Sequence, residues 1–363
     1  MALHRIRVRR PSKSMILVGL RGVGKTVLLN KIWEMGNADG FKSVLIEAHE
    51  EKPLTNLLVP PLRQILISLD SMEKVSDKVK RGLRVLGSFI RSFKAKFGDY
   101  EFSIDPEIGA ADSGDLEADL TALFVAVAEA AVDRETAVAI CVDELQYLSE
   151  TELSALIMAV HRINQLNLPL IVVGAGLPQV VGLAGKSKSY AERLFDYPEV
   201  GALSKPDASR ALQTPMADNN GLFEDAAVDE ILQETKGYPY FLQQWGHEAW
   251  NIAQLPRISL DDVRAATRQA ITKLDSSFFR VRFDRLTPRE KQYLRALAEL
   301  GPGSQRSGEI AETLGVRPQS VAPIRSSLIK KGMIYSPQYG DTRFTVPLFD
   351  EFMKRMIPTP VYR

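Results

Sequence analysis

Apolar and polar positions fall into two regimes along the chain. In the first half, short unbroken apolar runs alternate with longer stretches whose apolar residues recur every three or four positions. Runs at residues 15–18, 43–48, 137–142 and 170–173 have strand length, and unbroken runs of this kind suit strands buried on both faces. Helices are predicted between them. One starts after the Asp112-Ser113-Gly114-Asp115 turn and covers 116–132. Another covers 151–164, behind a Ser149/Glu152 capping box. A further short strand is expected near 200–203. Strands alternating with helices imply a parallel sheet with helices on both faces. From residue 205 to about 276 the strand signal disappears and helices follow one another. From Leu286 on, short helices lead to Gly332 and a β-ribbon.

Within 72–97, Val75, Val79, Leu83, Leu86, Ile90, Phe93 and Phe97 form one apolar helical face. The remaining faces hold eight Lys and Arg against Glu73 and Asp77. Three readings fit: an amphipathic helix packed on the core, a helix facing nucleic acid, or one facing an anionic membrane surface.

Chemistry concentrates between Met15 and Asn30. An apolar strand turns through Gly19-Leu20-Arg21-Gly22-Val23-Gly24-Lys25-Thr26 and continues as a helix through Val27. This is the complete G-x-x-x-x-G-K-[ST] phosphate loop in its strand–loop–helix context. Glycines let consecutive backbone N–H groups converge on phosphate oxygens, and the helix N-terminus adds partial positive charge. Lys25 is expected on the β- and γ-phosphates and the Thr26 hydroxyl on Mg²⁺, so the expected cofactors are ATP and Mg²⁺.

The buried run 137–142 ends in Asp143-Glu144. Behind a phosphate loop, that pair assigns Asp143 to the metal and Glu144 to orienting and deprotonating an attacking water. The interval between the motifs leaves room for a strand between the two motif strands.

Further motifs carry a resemblance. Val142-Asp143-Glu144-Leu145-Gln146-Tyr147-Leu148, Gly174-Ala175-Gly176-Leu177-Pro178, residues 189–195 (SYAERLF), Gly237-Tyr238-Pro239-Tyr240-Phe241 and residues 344–349 (FTVPLF) stand in this order behind the phosphate loop. The set resembles a bacterial family of archaeal-type ATPases on the border between AAA+ initiator-like proteins and STAND switch ATPases. That resemblance implies an arginine aimed at the γ-phosphate at Arg193, in the same subunit or across a self-associated ATPase interface. It also implies a lid motif, Tyr238 and Pro239, against adenine and ribose. Relatives keep a polar sensor at the end of the fourth strand, where Gly174-Ala175-Gly176 offers only backbone. They also carry an adenine-contacting segment upstream, for which Arg10 and Pro11 are the available substitutes.

Residues 307–316 look like the second helix and turn of a helix-turn-helix, with a recognition helix from Ser320 to about Lys331 and a wing through Gly340-Asp341. Residues 287–363 hold 12 Lys and Arg against 7 Asp and Glu. This bias points to duplex DNA, with Arg317, Gln319, Ser320, Arg325, Lys330, Lys331 and Arg343 as candidate contacts. In STAND relatives the same element is intramolecular or protein-binding.

Composition narrows this picture little. Net charge is +1 over 363 residues, and a single cysteine excludes an internal disulfide framework. The charge-free stretch between Arg162 and Lys186 is broken by prolines, glycines and amides, so no membrane span is expected and a cytoplasmic protein is. The expected architecture is α/β: a five-stranded parallel P-loop core (1–204), a helical lid (205–280) and a C-terminal winged helix-turn-helix (287–363). The expected function is an ATP-binding, slowly hydrolysing switch that couples nucleotide state to DNA binding, of initiator, loader or transposition-helper type. The alternative is a STAND-like signalling or defence switch with an unknown protein partner.

Overall fold

Two compact units make up the chain, one formed by residues up to Val18 and Lys25–Glu199, the other by Gly19–Gly24 and residues from Val200 on. The computed structural model describes residues 5–6, 12–70, 76–93, 105–218, 221–254 and 256–358.

In the first unit, β1 (Ser14–Val18) leads through the phosphate loop to α1 (Lys25–Ala38) and β2 (Lys42–Glu47). Helices α2 (Leu54–Asp70), α3 (Asp77–Ser92) and α4 (Leu116–Asp133) precede β3 (Val138–Asp143). Then come α5 (Glu150–Gln165), β4 (Leu170–Gly176), α6 (Gln179–Ser187), α7 (Ala191–Leu194) and β5 (Phe195–Asp196). All five strands are parallel, in the order β2-β3-β4-β1-β5. β4 thus lies between the two strands that carry the motifs. Every residue of β3 and β4 is buried, which is why their sequences show no alternation.

The fifth strand differs from expectation. It is Phe195–Asp196, paired with Ser14 and Met15 of β1, and residues 200–203 belong to no strand. Two residues are too few to show a strand pattern, whereas Val200-Gly201-Ala202-Leu203 shows one without finding a ladder.

The basic helix resolves to the packed reading. In α3, Val79, Leu83, Leu86 and Phe89 are buried. Two of its cations are answered by acids: Lys78 bonds Glu129 at 3.0 Å, and Arg81 bonds Glu107 at 3.0 Å and Glu129 at 3.1 Å. Partly exposed pairs of this kind add little stability, and they lessen the local positive field around Lys78 and Arg81. Residues 72–75 and 94–97 of the expected helix lie outside the described residues.

The second unit runs through α8 (Lys205–Ala217), β6 (Leu222–Phe223), α9 (Asp225–Thr235), α10 (Pro239–Ile252), β7 (Arg257–Ile258) and α11 (Leu260–Leu274). A π-helical turn (Asp275–Phe279) leads into α12 (Arg280–Asp284) and α13 (Pro288–Glu299). β8 (Gln305–Arg306), α14 (Ser307–Thr313), α15 (Pro318–Lys330), β9 (Ile334–Tyr335), β10 (Asp341–Phe344) and α16 (Phe349–Met356) complete it. The parallel pair β6–β7 was not expected, again because each strand has two residues. β8, β10 and β9 form an antiparallel sheet in that order beside α13–α15. Leu212, Trp245, Phe279, Leu294, Leu328 and Phe352 lie in one continuous core, so residues 205–280 and 287–363 share their apolar interior.

No helix among the described residues is long and apolar enough to cross a membrane.

Candidate functional site

The glycines of the phosphate loop are required by close approach at one position and by backbone angle at two. A Cβ on Gly19 would stand 2.1 Å from the Val200 carbonyl oxygen. Gly22 and Gly24 adopt φ of +79° and +92°, the left-handed region that favours glycine. The outer limb of the loop is tied within the second unit. The Arg21 N–H donates to the Thr345 carbonyl at 3.0 Å, and the Tyr240 N–H donates to the Gly22 carbonyl at 3.1 Å. Arg21 Nε also reaches the Gly332 carbonyl at 3.5 Å. These ties engage Arg21 and Gly22. Val23 is buried.

In the first unit, the opening turn of α1 and the end of β3 meet. Thr26 Oγ1 donates to Asp143 Oδ2 at 2.6 Å, and Asp143 Oδ1 accepts the Glu144 N–H at 2.8 Å. Lys25 and Asp143 are both buried. Val27, the next loop-flanking candidate, is exposed. No group of three or more His, Cys, Asp or Glu able to hold a metal occurs among the described residues. One hydroxyl and one carboxylate oxygen are the donor set expected for Mg²⁺, which keeps waters and completes its shell with substrate phosphates. The residues therefore fit Mg-ATP.

Glu144 departs from strand geometry, with φ 55° and ψ 40°. Left-handed backbone at a non-glycine residue costs about 1–3 kcal/mol and concentrates at functional sites. A 3₁₀ turn, Leu145–Tyr147, follows. It swings Gln146 back so that its Nε2 donates to Glu144 Oε2, while Gln146 Oε1 accepts the Leu177 N–H at 3.0 Å. Sequence reasoning missed Gln146. The glycines at the end of β4 were a signal for it, because they leave room that some other group must fill.

The remaining nucleotide candidates are placed individually. Arg193 lies exposed on α7. In the second unit, Tyr238 caps α10 and Pro239 occupies its first turn, where a missing N–H costs nothing. Pro239 also lines an apolar cavity of about 340 Å³ with Leu212, Met216, Phe223, Leu242 and Trp250. Arg10 and Pro11 lie outside the described residues. Burial pushes the Cys141 thiol on β3 up to about 12.

The DNA candidates divide. Arg317, Gln319, Ser320 and Lys330 are exposed along α15, and Arg343 is exposed on β10. Two others are committed elsewhere, contrary to expectation. Arg325 donates to Thr342 Oγ1 at 2.9 Å, Ser336 Oγ at 2.7 Å and the Asp341 carbonyl at 2.8 Å, so it fastens α15 to the hairpin. Lys331 bonds the buried Glu290 at 2.7 Å and the Arg285 carbonyl at 3.1 Å. A carboxylate out of water needs such a partner, and Lys331 is the cation placed to supply it.

Comparison with known proteins gives two family matches. Residues 1–173 match the family described as an AAA ATPase domain. Residues 276–353 match one described as a domain of unknown function (DUF8462). No curated protein matches. Among solved structures, the chain is similar to the RuvB Holliday junction branch migration motor of Thermotoga maritima, at 15% identity over 99% of this chain and 92% of that one, with a TM-score of 0.46. It is also similar to Orc1 of Aeropyrum pernix, solved in complex with DNA, at 17% identity over 97% and 89%, TM-score 0.46. Cdc6p of Pyrobaculum aerophilum follows at 15% identity over 98% and 93%, TM-score 0.45. All three likenesses are distant. The stretch that contains the phosphate loop, Asp143, Glu144 and Gln146 is thus similar to an AAA ATPase domain, and the phosphate-loop fold beneath it is a five-stranded parallel sheet.

Proposed function

We propose that the protein is a cytoplasmic Mg²⁺-dependent ATPase that works as a slow switch, and that its nucleotide state controls engagement of duplex DNA by a C-terminal winged helix. The observation that supports it most is the 2.6 Å hydrogen bond from Thr26 to Asp143, which joins the two motifs of a phosphate-loop site and brings together two oxygens that would hold a magnesium ion. Lys25 would neutralise the β- and γ-phosphates and Glu144 would take the proton of the attacking water. Arg193, exposed on α7, would complete the site in the same subunit or in a second copy. The DNA part rests on α15 and β10, which present Arg317, Gln319, Ser320, Lys330 and Arg343 together with exposed Tyr339 beyond β9.

A second reading, a STAND-like switch whose C-terminal element acts inside the molecule or on a protein partner, is favoured by one contact. The Thr345 carbonyl accepts the N–H of Arg21 in the phosphate loop. A duplex titration with and without a non-hydrolysable ATP analogue separates the readings. The DNA-coupled switch requires binding that changes with nucleotide, and absence of duplex binding at low salt in both states would remove it.

A further inference from the structure

Tyr339 is 106% exposed, yet the backbone on both sides of it is held by hydrogen bonds. We propose that Tyr339 stacks on a base, and that the DNA engaged by this surface carries an unpaired base within duplex. The inference rests on the DNA reading of the C-terminal region and deepens it by naming the class of substrate.

Three observations carry it. First, the turn between β9 and β10, residues 336–340, is fixed. The Gln338 carbonyl accepts the Asp341 N–H at 3.1 Å and Ser336 Oγ at 2.6 Å. The Gly340 carbonyl accepts both the N–H and the hydroxyl of Ser307 at 3.0 Å. Arg325 ties Ser336 and the Asp341 carbonyl to α15. Pro337 fixes its own φ, and Gly340 closes the turn at φ 84°. Second, the side chain at the centre of this turn adds nothing to the core. An aromatic ring is thus held out in water on a braced support. Third, the ring has cations beside it. Thr342 and Phe344 of β10 are buried, so the strand turns Arg343 outward, and Arg306 of β8, paired with Asp341, is exposed as well. The Asp341 carboxylate is half-buried and accepts Ser304 Oγ at 3.2 Å.

Cations that follow a phosphate backbone, next to an aromatic ring, are the combination that binds nucleic acid through its base faces. In a perfect duplex those faces are covered by their neighbours, and a wedge must unstack a step to reach one. An unpaired base spares most of that cost. A tyrosine has only two side-chain torsions to immobilise, and here its backbone is already set, so little freedom is lost when the ring stacks. The same surface should therefore prefer a duplex that contains an unpaired base over a perfect one, while its cations hold both.

The test titrates the full chain at low salt, with and without a non-hydrolysable ATP analogue, against two DNAs of one sequence. One is a perfect duplex, and the other carries a single unpaired 2-aminopurine as a bulge. Wild type should bind the bulged DNA about five- to 150-fold more tightly, the worth of one base–aromatic stack, and should quench the 2-aminopurine. Tyr339→Ala should bind both DNAs alike, within about twofold of the wild-type affinity for perfect duplex, because backbone contacts are kept. It should leave the 2-aminopurine bright. Tyr339→Phe should behave as wild type, since the ring and not the hydroxyl stacks. Should Tyr339→Ala fail to fold, Tyr339→Ser makes the same measurement. Preference and quenching that survive in Tyr339→Ala overturn the proposal, and so does a wild type that binds both DNAs equally. Both results leave the DNA reading in place. Absence of binding to either DNA in both nucleotide states removes the DNA reading, and this proposal with it.

Discussion

Thr26 and Asp143, 117 residues apart in sequence, share a hydrogen bond of 2.6 Å. The hydroxyl is set by the first turn of α1 and the carboxylate by the end of β3, so neither needs the other for its place in the fold. Their meeting brings two hard oxygens together at the turn that also carries the buried Lys25.

Nucleotide binding and hydrolysis should therefore separate by residue. Lys25→Ala should abolish ATP binding, because it removes the loop's side-chain cation for the β- and γ-phosphates. Glu144→Gln should bind normally and lose turnover by about 10²–10⁴, the usual share of a general base. Fluorescent-nucleotide titration and phosphate release measure the two, and binding by Lys25→Ala at wild-type affinity would contradict the assignment.

Arg193 tests assembly. Arg193→Ala should retain ATP binding and hydrolyse about 10³-fold more slowly or worse if its guanidinium meets transition-state charge. Mixing it with Lys25→Ala protein should restore activity if the arginine acts across a subunit interface, since one interface then pairs an intact loop with an intact arginine. Restoration that fails at every protein concentration would place the residue's action inside one chain.

Much of the fold was legible because burial leaves a mark in sequence. β3 and β4 are unbroken apolar runs since both their faces are covered, and Ser149/Glu152 caps α5 with both reciprocal bonds formed. Elements of two residues left no mark. β5, β6 and β7 were missed or misplaced because ladder partners, not patterns, define them. Charge misled in one place. Arg325 and Lys331 of the C-terminal region look free in sequence, but their partners, Thr342 and Glu290, come from other elements. The bonds Gln146 makes to Glu144 and the Leu177 N–H depend on an unusual backbone angle at Glu144 that no residue type announces.

Salt dependence tests the proposed DNA surface. The exposed Arg317, Lys330 and Arg343 should neutralise phosphates, giving a log–log slope near −0.9 per contact for duplex DNA. Lys330→Glu should weaken all sequences together and flatten the slope by about one. Arg325→Ala should instead lower the melting temperature, because three acceptors on the hairpin lose their donor. If Arg325→Ala changes sequence preference at unaltered stability, the bracing role is wrong and direct base contact returns.

Acid should weaken the second unit through Glu290. Burial pushes its carboxyl up, but Lys331, the Thr287 N–H and Ser327 more than offset this and hold it below the ordinary 4.5. A group depressed in the folded state contributes stability above its unfolded value and loses it as pH falls through the folded one. Stability should thus be full above about pH 4.5 and decline below. Lys331→Met removes the cation and leaves burial dominant, so the decline should begin at higher pH, with about 1–3 kcal/mol lost at neutrality. Superimposable stability curves for variant and wild type against pH would refute this.

The tie between Arg21 and Thr345 decides how the C-terminal region serves the site. The Thr345 hydroxyl, fully buried, donates to the Gly332 carbonyl at 2.5 Å, and its own carbonyl takes the Arg21 N–H at 3.0 Å. Both ends of the tie belong to the second unit, whose core runs unbroken into residues 287–363. Deleting those residues would expose that core, so point variants in the full chain are the clean probe. Thr345→Val keeps shape and removes the hydroxyl, and Thr345→Ser keeps the hydroxyl. If the tie couples DNA to nucleotide, wild type should show duplex DNA changing ATP affinity by some factor, and ATP changing DNA affinity by the same factor. Thr345→Val should bring both factors toward one together, and Thr345→Ser should restore them. Equal coupling in wild type and Thr345→Val would show the contact to be bracing alone. Should ATP affinity respond to Thr345→Val while no duplex binds at low salt, the contact serves an intramolecular switch and the DNA reading falls.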